Sequence, residues 1–286
     1  MKKLISKLHA YALLMRLHQP IGFLLLLWPT LWALWIASEG SPHWQIVLLF
    51  CLGALLMRSA GCVINDVADY RFDGHVTRTK NRPLIIGIVP VREALILFSA
   101  LCAIAFSSIL WMNHLTIVLA AIGVLLAIIY PFSKRFTYLP QSFLGLAFAW
   151  GVPMAFAAQI QSVPLIAWYI YLLAGLWTFT YDTVYAMVDR EDDKRIGIKS
   201  SALLFAQFDR LIIATLQIIL LLMLLALGQQ LNLNKYYYVG VLLTAGLFIY
   251  QQILIKQRDP RAYFKAFLNN HWVGLVIFFG LAFGMA

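Results

Sequence analysis

Nine apolar stretches, each long enough to cross a lipid bilayer, dominate this chain. They span 21–38, 44–64, 91–112, 114–132, 141–160, 163–181, 211–228, 236–255 and 268–285. A crossing helix needs about 20 mostly apolar residues. Lipid offers no partner to backbone N–H and C=O groups, so only helices and closed barrels cross it. A barrel would show alternating segments of about 10 residues, whereas these runs are unbroken. The expected fold class is therefore an all-α membrane protein with nine transmembrane helices. The chain reads as one integral-membrane domain over residues 1–286. Composition agrees: 62% of residues are hydrophobic and 12% charged, against roughly 45–50% and about 25% in soluble domains. A soluble fold and a disordered chain are both excluded. Cys51, Cys62 and Cys102 lie in apolar runs without metal-binding spacing, which excludes a disulfide scaffold. The first 20 residues, MKKLISKLHAYALLMRLHQP, are basic and amphipathic and read as an interfacial helix.

Lys and Arg orient the spans. Nine spans place the N-terminus and the connections near 65–90, 133–140, 182–210 and 256–267 on one side. With Arg58 counted to the nearer side, that side holds 21 of the 22 basic residues, and the other holds Lys235. The expected topology has a cytoplasmic N-terminus and an outer, periplasmic C-terminus. The basic balance is thus a matter of topology, and nucleic acid is not an expected partner. Of 12 acidic residues, 11 share the cytoplasmic side and only Glu39 lies outside. The positive-inside rule does not require this, so function is expected at the cytoplasmic face.

Two short clusters hold most of those acids. The first is Asn65-Asp66-Val67-Ala68-Asp69-Tyr70-Arg71-Phe72-Asp73, which continues the second span. At about 100° per residue, with Arg58 at zero, Asn65, Asp66, Asp69 and Asp73 fall within a face about 100° wide. The second runs from Asp182 to Asp193 and continues the sixth span. Asp189 and Asp193 then fall about 20° either side of Asp182, and Tyr185 about 60° away. Both clusters contain Asp-x-x-x-Asp, at 69/73 and 189/193, and both follow an even-numbered span. The pattern suggests a degenerate duplication into two Asp-rich helical halves.

Carboxylates stacked on one helix face repel each other, and a cation relieves this. Hard oxygen ligands without His or Cys suit Mg2+, which is commonly held by one or two carboxylates together with substrate phosphates. Two facing clusters therefore point to Mg2+ ions gripping a diphosphate. A solvated polar cap at each helix end is the simpler alternative, but matched spacing on one side argues against it.

The residues also resemble a known family. Asn65-Asp-x-x-Asp-x-x-x-Asp73 and Asp182-x-x-Tyr-Ala-x-x-Asp-x-x-x-Asp193 are similar to the two signature motifs of the UbiA-type membrane prenyltransferases. The segments at 16–37, 57–84, 130–141, 146–158 and 181–202 resemble the bacterial 4-hydroxybenzoate polyprenyltransferases of ubiquinone synthesis. The likeness runs from about residue 16 to about 205; beyond that only the hydropathy pattern agrees. It implies nine helices around a central cavity in the bacterial inner membrane. It also implies Mg2+-dependent transfer of a polyprenyl group from polyprenyl diphosphate to 4-hydroxybenzoate.

Under that reading Asp66, Asp69, Asp73, Asp182, Asp189 and Asp193 bind metal, directly or through water. Asn65 is a candidate for metal or substrate oxygen. Arg78, Arg82, Lys134 and Arg135 are candidates for the diphosphate, with membrane anchoring as their ordinary role. Arg58, a basic residue inside a span, and Arg16 are candidates for the acceptor carboxylate. Tyr185 is the aromatic expected near the site. Small residues and Pro153 in the fifth span (Gly145, Ala147, Ala149, Gly151) permit close packing, a kink or an opening for a tail arriving through membrane lipid. A sibling enzyme with a naphthoate, homogentisate or haem acceptor would share the Asp motifs. A cation-coupled transporter would instead place its acids near the bilayer midplane.

Overall fold

The structure, a computed structural model, describes residues 2–71, 74 and 79–286. Its helices run in chain order as α1 (Lys2–Leu14), α2 (Pro20–Ala37), α3 (Trp44–Ala68), α4 (Val91–Ile109), α5 (His114–Ser133), α6 (Pro140–Phe148), α7 (Gly151–Ile160) and α8 (Leu165–Ala186). Then follow α9 (Arg190–Ile196), α10 (Ser201–Phe205), α11 (Asp209–Gln230), α12 (Lys235–Lys256) and α13 (Pro260–Gly284). No strand occurs among the described residues. Caps sit where the sequence supplies them. Asn113, Asn234 and Asp259 accept from the first-turn amides of Thr116, Tyr236 and Ala262. Pro20 and Pro260 open their helices, where the missing N–H costs nothing.

Among the described residues, eight stretches are long and apolar enough to cross a membrane: α2, α3, α4, α5, α6–α7, α10–α11, α12 and α13. They match eight of the nine expected runs. The remaining run became α8, which has 22 residues but carries four tyrosines, three threonines and Asp182. Its surroundings explain that composition. α8 packs against α2, α6, α7, α11 and α13, so its polar groups meet protein. Tyr169 and Tyr171 donate to the Met223 and Leu146 carbonyls at 2.8 and 3.1 Å. Thr180 and Thr183 donate to their own helix at 2.7 and 2.8 Å.

The fifth expected span is a broken helix. Pro153 has no N–H to give the Ala149 carbonyl, and that carbonyl takes the Val152 N–H at 2.9 Å instead. α6 therefore ends at Phe148 and α7 starts at Gly151. The small residues serve helix packing. A Cβ at Gly145 would sit 2.7 Å from the Gly175 carbonyl oxygen, so α6 lies directly on α8. A Cβ at Gly151 would overlap the Thr30 hydroxyl, so α7 lies directly on α2.

The main core joins α2, α7, α8, α11, α12 and α13 through Trp32, Phe156, Trp177, Tyr181 and Tyr237. A smaller core joins α1, α3 and α4 through Leu14, Val63, Leu84 and Ala94. α1 is thus docked: Ala10 and Leu14 are buried, and Lys7 and Tyr11 both donate to Glu93, at 2.7 and 2.8 Å.

Candidate active site

Both Asp clusters interrupt the expected helix geometry. The first needed α3 to run on through residue 73. It stops at Ala68, with Asp69 as its C-cap. Asp73, Arg78 and His75 lie outside the described residues. The second cluster needed one continuous helix. α8 ends at Ala186, and Asp189 is the N-cap of a new helix, α9. A single face carrying Asp182, Asp189 and Asp193 is therefore not formed. Asp69 closes a helix and Asp189 opens one, so equal spacing did not give equal local structure.

The first cluster is buried and charged on every side. Asp66 and Asp69 are 1% and 4% exposed. Asp66 Oδ1 accepts from Arg16 Nη2 at 2.7 Å and pairs with Arg82 Nη1 at 2.9 Å. Asp69 Oδ2 accepts from Lys134 Nζ, and from Asn65 Nδ2 at 3.2 Å. Arg135 donates to the Ala68 carbonyl at 2.7 Å and lies 5.0 Å from the Phe132 ring. Arg16 holds a left-handed backbone, φ 57°, which an arginine adopts only when its surroundings impose it. Here Nη2 on Asp66 and Nη1 on the Leu13 carbonyl impose it. Four candidates from four separate stretches thus converge on two carboxylates, and a fifth, Arg135, holds the end of the same helix.

The other oxygens of those carboxylates, Asp66 Oδ2 and Asp69 Oδ1, are buried and have no hydrogen-bond partner. A buried carboxylate oxygen without a partner is costly, and a divalent cation is the natural complement to two of them. Among the described residues no three His, Cys, Asp or Glu side chains come together as a metal-holding group. The donor set suits an ion completed by substrate oxygens and water, as Mg2+ sites commonly are.

Asp182 faces the first cluster. It lies within electrostatic reach of Arg58 and Lys134, and Lys134 already holds Asp69. One lysine therefore links the two clusters. Tyr130, which the sequence reading did not single out, stands within reach of Arg58, Asp69 and Asp182. Its only signal was its place four residues before Lys134. Tyr185 stands within reach of Arg58 and packs on Phe267, with ring centroids 4.7 Å apart.

Arg58 projects from α3. Its Nη1 meets the Cys62 sulfur, a weak acceptor, and its Nε is buried without a partner. Gly22 makes room for it: a Cβ there would sit 2.8 Å from Nε. Arg58 and Tyr130 also line an apolar cavity between α2, α3, α4, α5 and α7, reaching Leu49, Ile109 and Ala120. From Gly61 to Leu49 along α3 that is about 18 Å.

Asp189 and Asp193 are half-buried in α9 and its cap. Their loop is anchored by a residue outside both motifs. Asp209, at the start of α11, is fully buried and pairs with Arg190 and with Arg258. The hydrogen bond to Asp209 holds the Arg258 pKa above its ordinary value. No local pattern announces this anchor, because the partners lie 19 and 49 residues apart.

Both the sequence and the fold have known counterparts. The chain is 57% identical over 278 residues to the 4-hydroxybenzoate octaprenyltransferase of Aliivibrio salmonicida, covering 97% of this chain and 98% of the relative. It is 54% identical over 280 residues to the enzyme of that name from Saccharophagus degradans, covering 98% and 94%. The fold matches the apo structure of a UbiA homologue from Aeropyrum pernix with a TM-score of 0.79, at 24% identity, over 90% of this chain and 96% of that one. It also matches a UbiA homologue from Archaeoglobus fulgidus bound to GPP and Mg2+, with a TM-score of 0.71, at 17% identity, over 96% and 99%. At those identities the two structures speak for the fold alone. The UbiA prenyltransferase family matches residues 26–280, a stretch that contains both Asp clusters, the cavity and the Asp209 anchor, and the chain belongs to that family.

Proposed function

We propose that this protein transfers a polyprenyl group from polyprenyl diphosphate to position 3 of 4-hydroxybenzoate and releases diphosphate. The observation that carries the reading is the pair of unpartnered carboxylate oxygens, Asp66 Oδ2 and Asp69 Oδ1, beside three cations and above an apolar cavity. Relatives sharing more than half the sequence bear the name of this activity.

Asp66, Asp69 and Asp182, with Asp189 and Asp193 from the α9 loop and Asp73, would hold Mg2+. Bound there, the metal neutralises charge growing on the departing diphosphate. Arg16, Arg82 and Lys134 sit on the carboxylates and bring positive charge to the diphosphate. Arg78 is a further candidate of the same kind, and Asn65 holds Asp69 in place. Arg135 braces the end of α3 through the Ala68 carbonyl. Arg58 lacks a strong acceptor, which the carboxylate of 4-hydroxybenzoate supplies. Tyr130, Tyr181 and Tyr185 surround Arg58, and their faces stabilise an allylic cation. The cavity keeps that cation from water and takes the start of the prenyl tail, the rest lying in membrane lipid.

In this reading α8 is a ninth span, whose polar face is covered by protein. The N-terminus and both Asp clusters face the cytoplasm, and the C-terminus lies outside the bacterial inner membrane.

The test is transfer of radiolabelled 4-hydroxybenzoate into the organic phase by purified protein with octaprenyl diphosphate and Mg2+. Label should appear with the complete mixture and vanish with EDTA or in the Asp69→Ala/Asp189→Ala variant. Transfer to a naphthoate but not to 4-hydroxybenzoate would overturn the acceptor. Transfer surviving in the double variant would overturn the metal assignment.

A further inference from the structure

Asp209 is the most deeply buried carboxylate among the described residues, at 0% exposure. It belongs to neither Asp motif. Both its oxygens are occupied: Oδ1 and Oδ2 take Arg258 Nη1 at 2.7 and 2.6 Å, Oδ2 takes Arg190 Nη2, and Oδ1 takes the Arg210 amide. No lone pair is left to face a substrate. Its effect must pass through the residues it holds.

The important one is Arg190. It follows Asp189 directly and is the first residue of α9. α9 has seven residues and buries none of them. A helix that short does not sustain itself in isolation, and with no buried side chain it has no core of its own. Ties at its ends therefore contribute to its position. At the far end Gly197, φ 76°, closes the helix, and the chain is tied down by Ser201, whose hydroxyl meets Thr183 and whose amide donates to Gln141. At the near end Arg190 is tied to Asp209. Arg258 completes it from the α12–α13 turn, where its backbone is left-handed, φ 54°. The clamp thus joins α9, α11 and the α12–α13 turn at one carboxylate.

We propose that Asp209 is a positioning residue for the second Asp cluster: by clamping Arg190, with Arg258 as the second arm, it fixes α9 so that Asp189 and Asp193 are presented to a divalent metal diphosphate. This rests on the reading of that cluster given above. Without the carboxylate, two guanidinium groups lose their counter-charge. Arg190 is then released one residue from Asp189, where it competes for the same carboxylates as the metal. This also gives the C-terminal helices, which carry no recognisable motif, a part in the chemistry.

The test uses the full chain in detergent, with Mn2+ and inorganic diphosphate as probes and bound Mn2+ counted by electron paramagnetic resonance. Asp209→Asn should weaken Mn2+ binding by about tenfold, as loss of groups behind metal ligands commonly does. Arg190→Gln should do the same, and the double variant should be no worse than either, as expected for two residues acting through one contact. In turnover the Mg2+ requirement should rise while the KM for 4-hydroxybenzoate stays unchanged; a merely structural defect would lower kcat alone. Wild-type Mn2+ affinity in folded Asp209→Asn would overturn the clamp. If that variant does not fold, Arg190→Gln removes the same contact from the partly exposed side, and wild-type affinity there overturns it equally. Wild-type affinity in Asp189→Asn would instead overturn the reading of the cluster itself.

Discussion

At residue scale, Arg58 shows how a charge inside a membrane protein can be held without being fully satisfied. A basic side chain in a span is costly and usually functional, and among the described residues the hydrogen bond of this one goes to a sulfur. Its placement depends on Gly22, which α2 presents without a Cβ. Gly22→Ala should therefore displace the guanidinium, a flexible group that can move, and leave the helices where they are. We expect the KM for 4-hydroxybenzoate to rise about tenfold with little change in kcat, the sign of lost uniform binding. Arg58→Lys should behave similarly, because an ammonium cannot reproduce the planar fork. Steady-state kinetics with the acceptor varied would check both. Unchanged acceptor KM in both variants would remove Arg58 from the acceptor site.

At element scale, glycine separates contacts that yield from contacts that cannot. At Gly145 a new Cβ meets a backbone carbonyl on α8, whereas at Gly53, which lines the cavity, it meets nothing within 4 Å. Gly145→Ala should cost about 1–3 kcal/mol through overpacking, seen as a lower Tm in detergent. Gly53→Ala should leave Tm unchanged. Equal Tm values would mean that α6 and α8 have room to part. The motifs teach a related lesson. Periodicity carries straight through residues 182–193, yet the helix breaks after Ala186. The break is held by Arg190 on Asp209, a contact across 19 residues, and no local pattern announces it. The break at Ala149, by contrast, was legible, because Pro153 causes it from within four residues.

At the scale of the whole molecule, the ion pairs at the site are long in sequence. Arg16 meets Asp66 across 50 residues and Lys134 meets Asp69 across 65. Basic residues near span ends, of the kind that bias topology in general, here also hold buried carboxylates. The orientation has its own test. A single cysteine at Lys235 should react with an impermeant maleimide on intact cells, and one at Lys199 only after permeabilisation, with the wild-type chain as the blank. The reverse pattern would invert the topology and move the site to the other face.

Read alone, the sequence shows the class of fold, eight of the spans, and the acidic and basic residues from which a site could be built. Those properties are set by local demands: a run of about 20 apolar residues must lie in lipid, and acids at its end must find cations. It also determined family membership, because the two Asp motifs are short and contiguous. The tertiary structure decided which cation meets which carboxylate, that one lysine links the clusters, that Tyr130 stands between them, and that Asp209 anchors α9. It also explained why α8 tolerates tyrosine and threonine where a lipid-facing helix would not. The reason is the same throughout. A carboxylate is satisfied by whatever cation folding brings within about 3 Å, and in a bundle of long helices that partner comes from a different part of the chain.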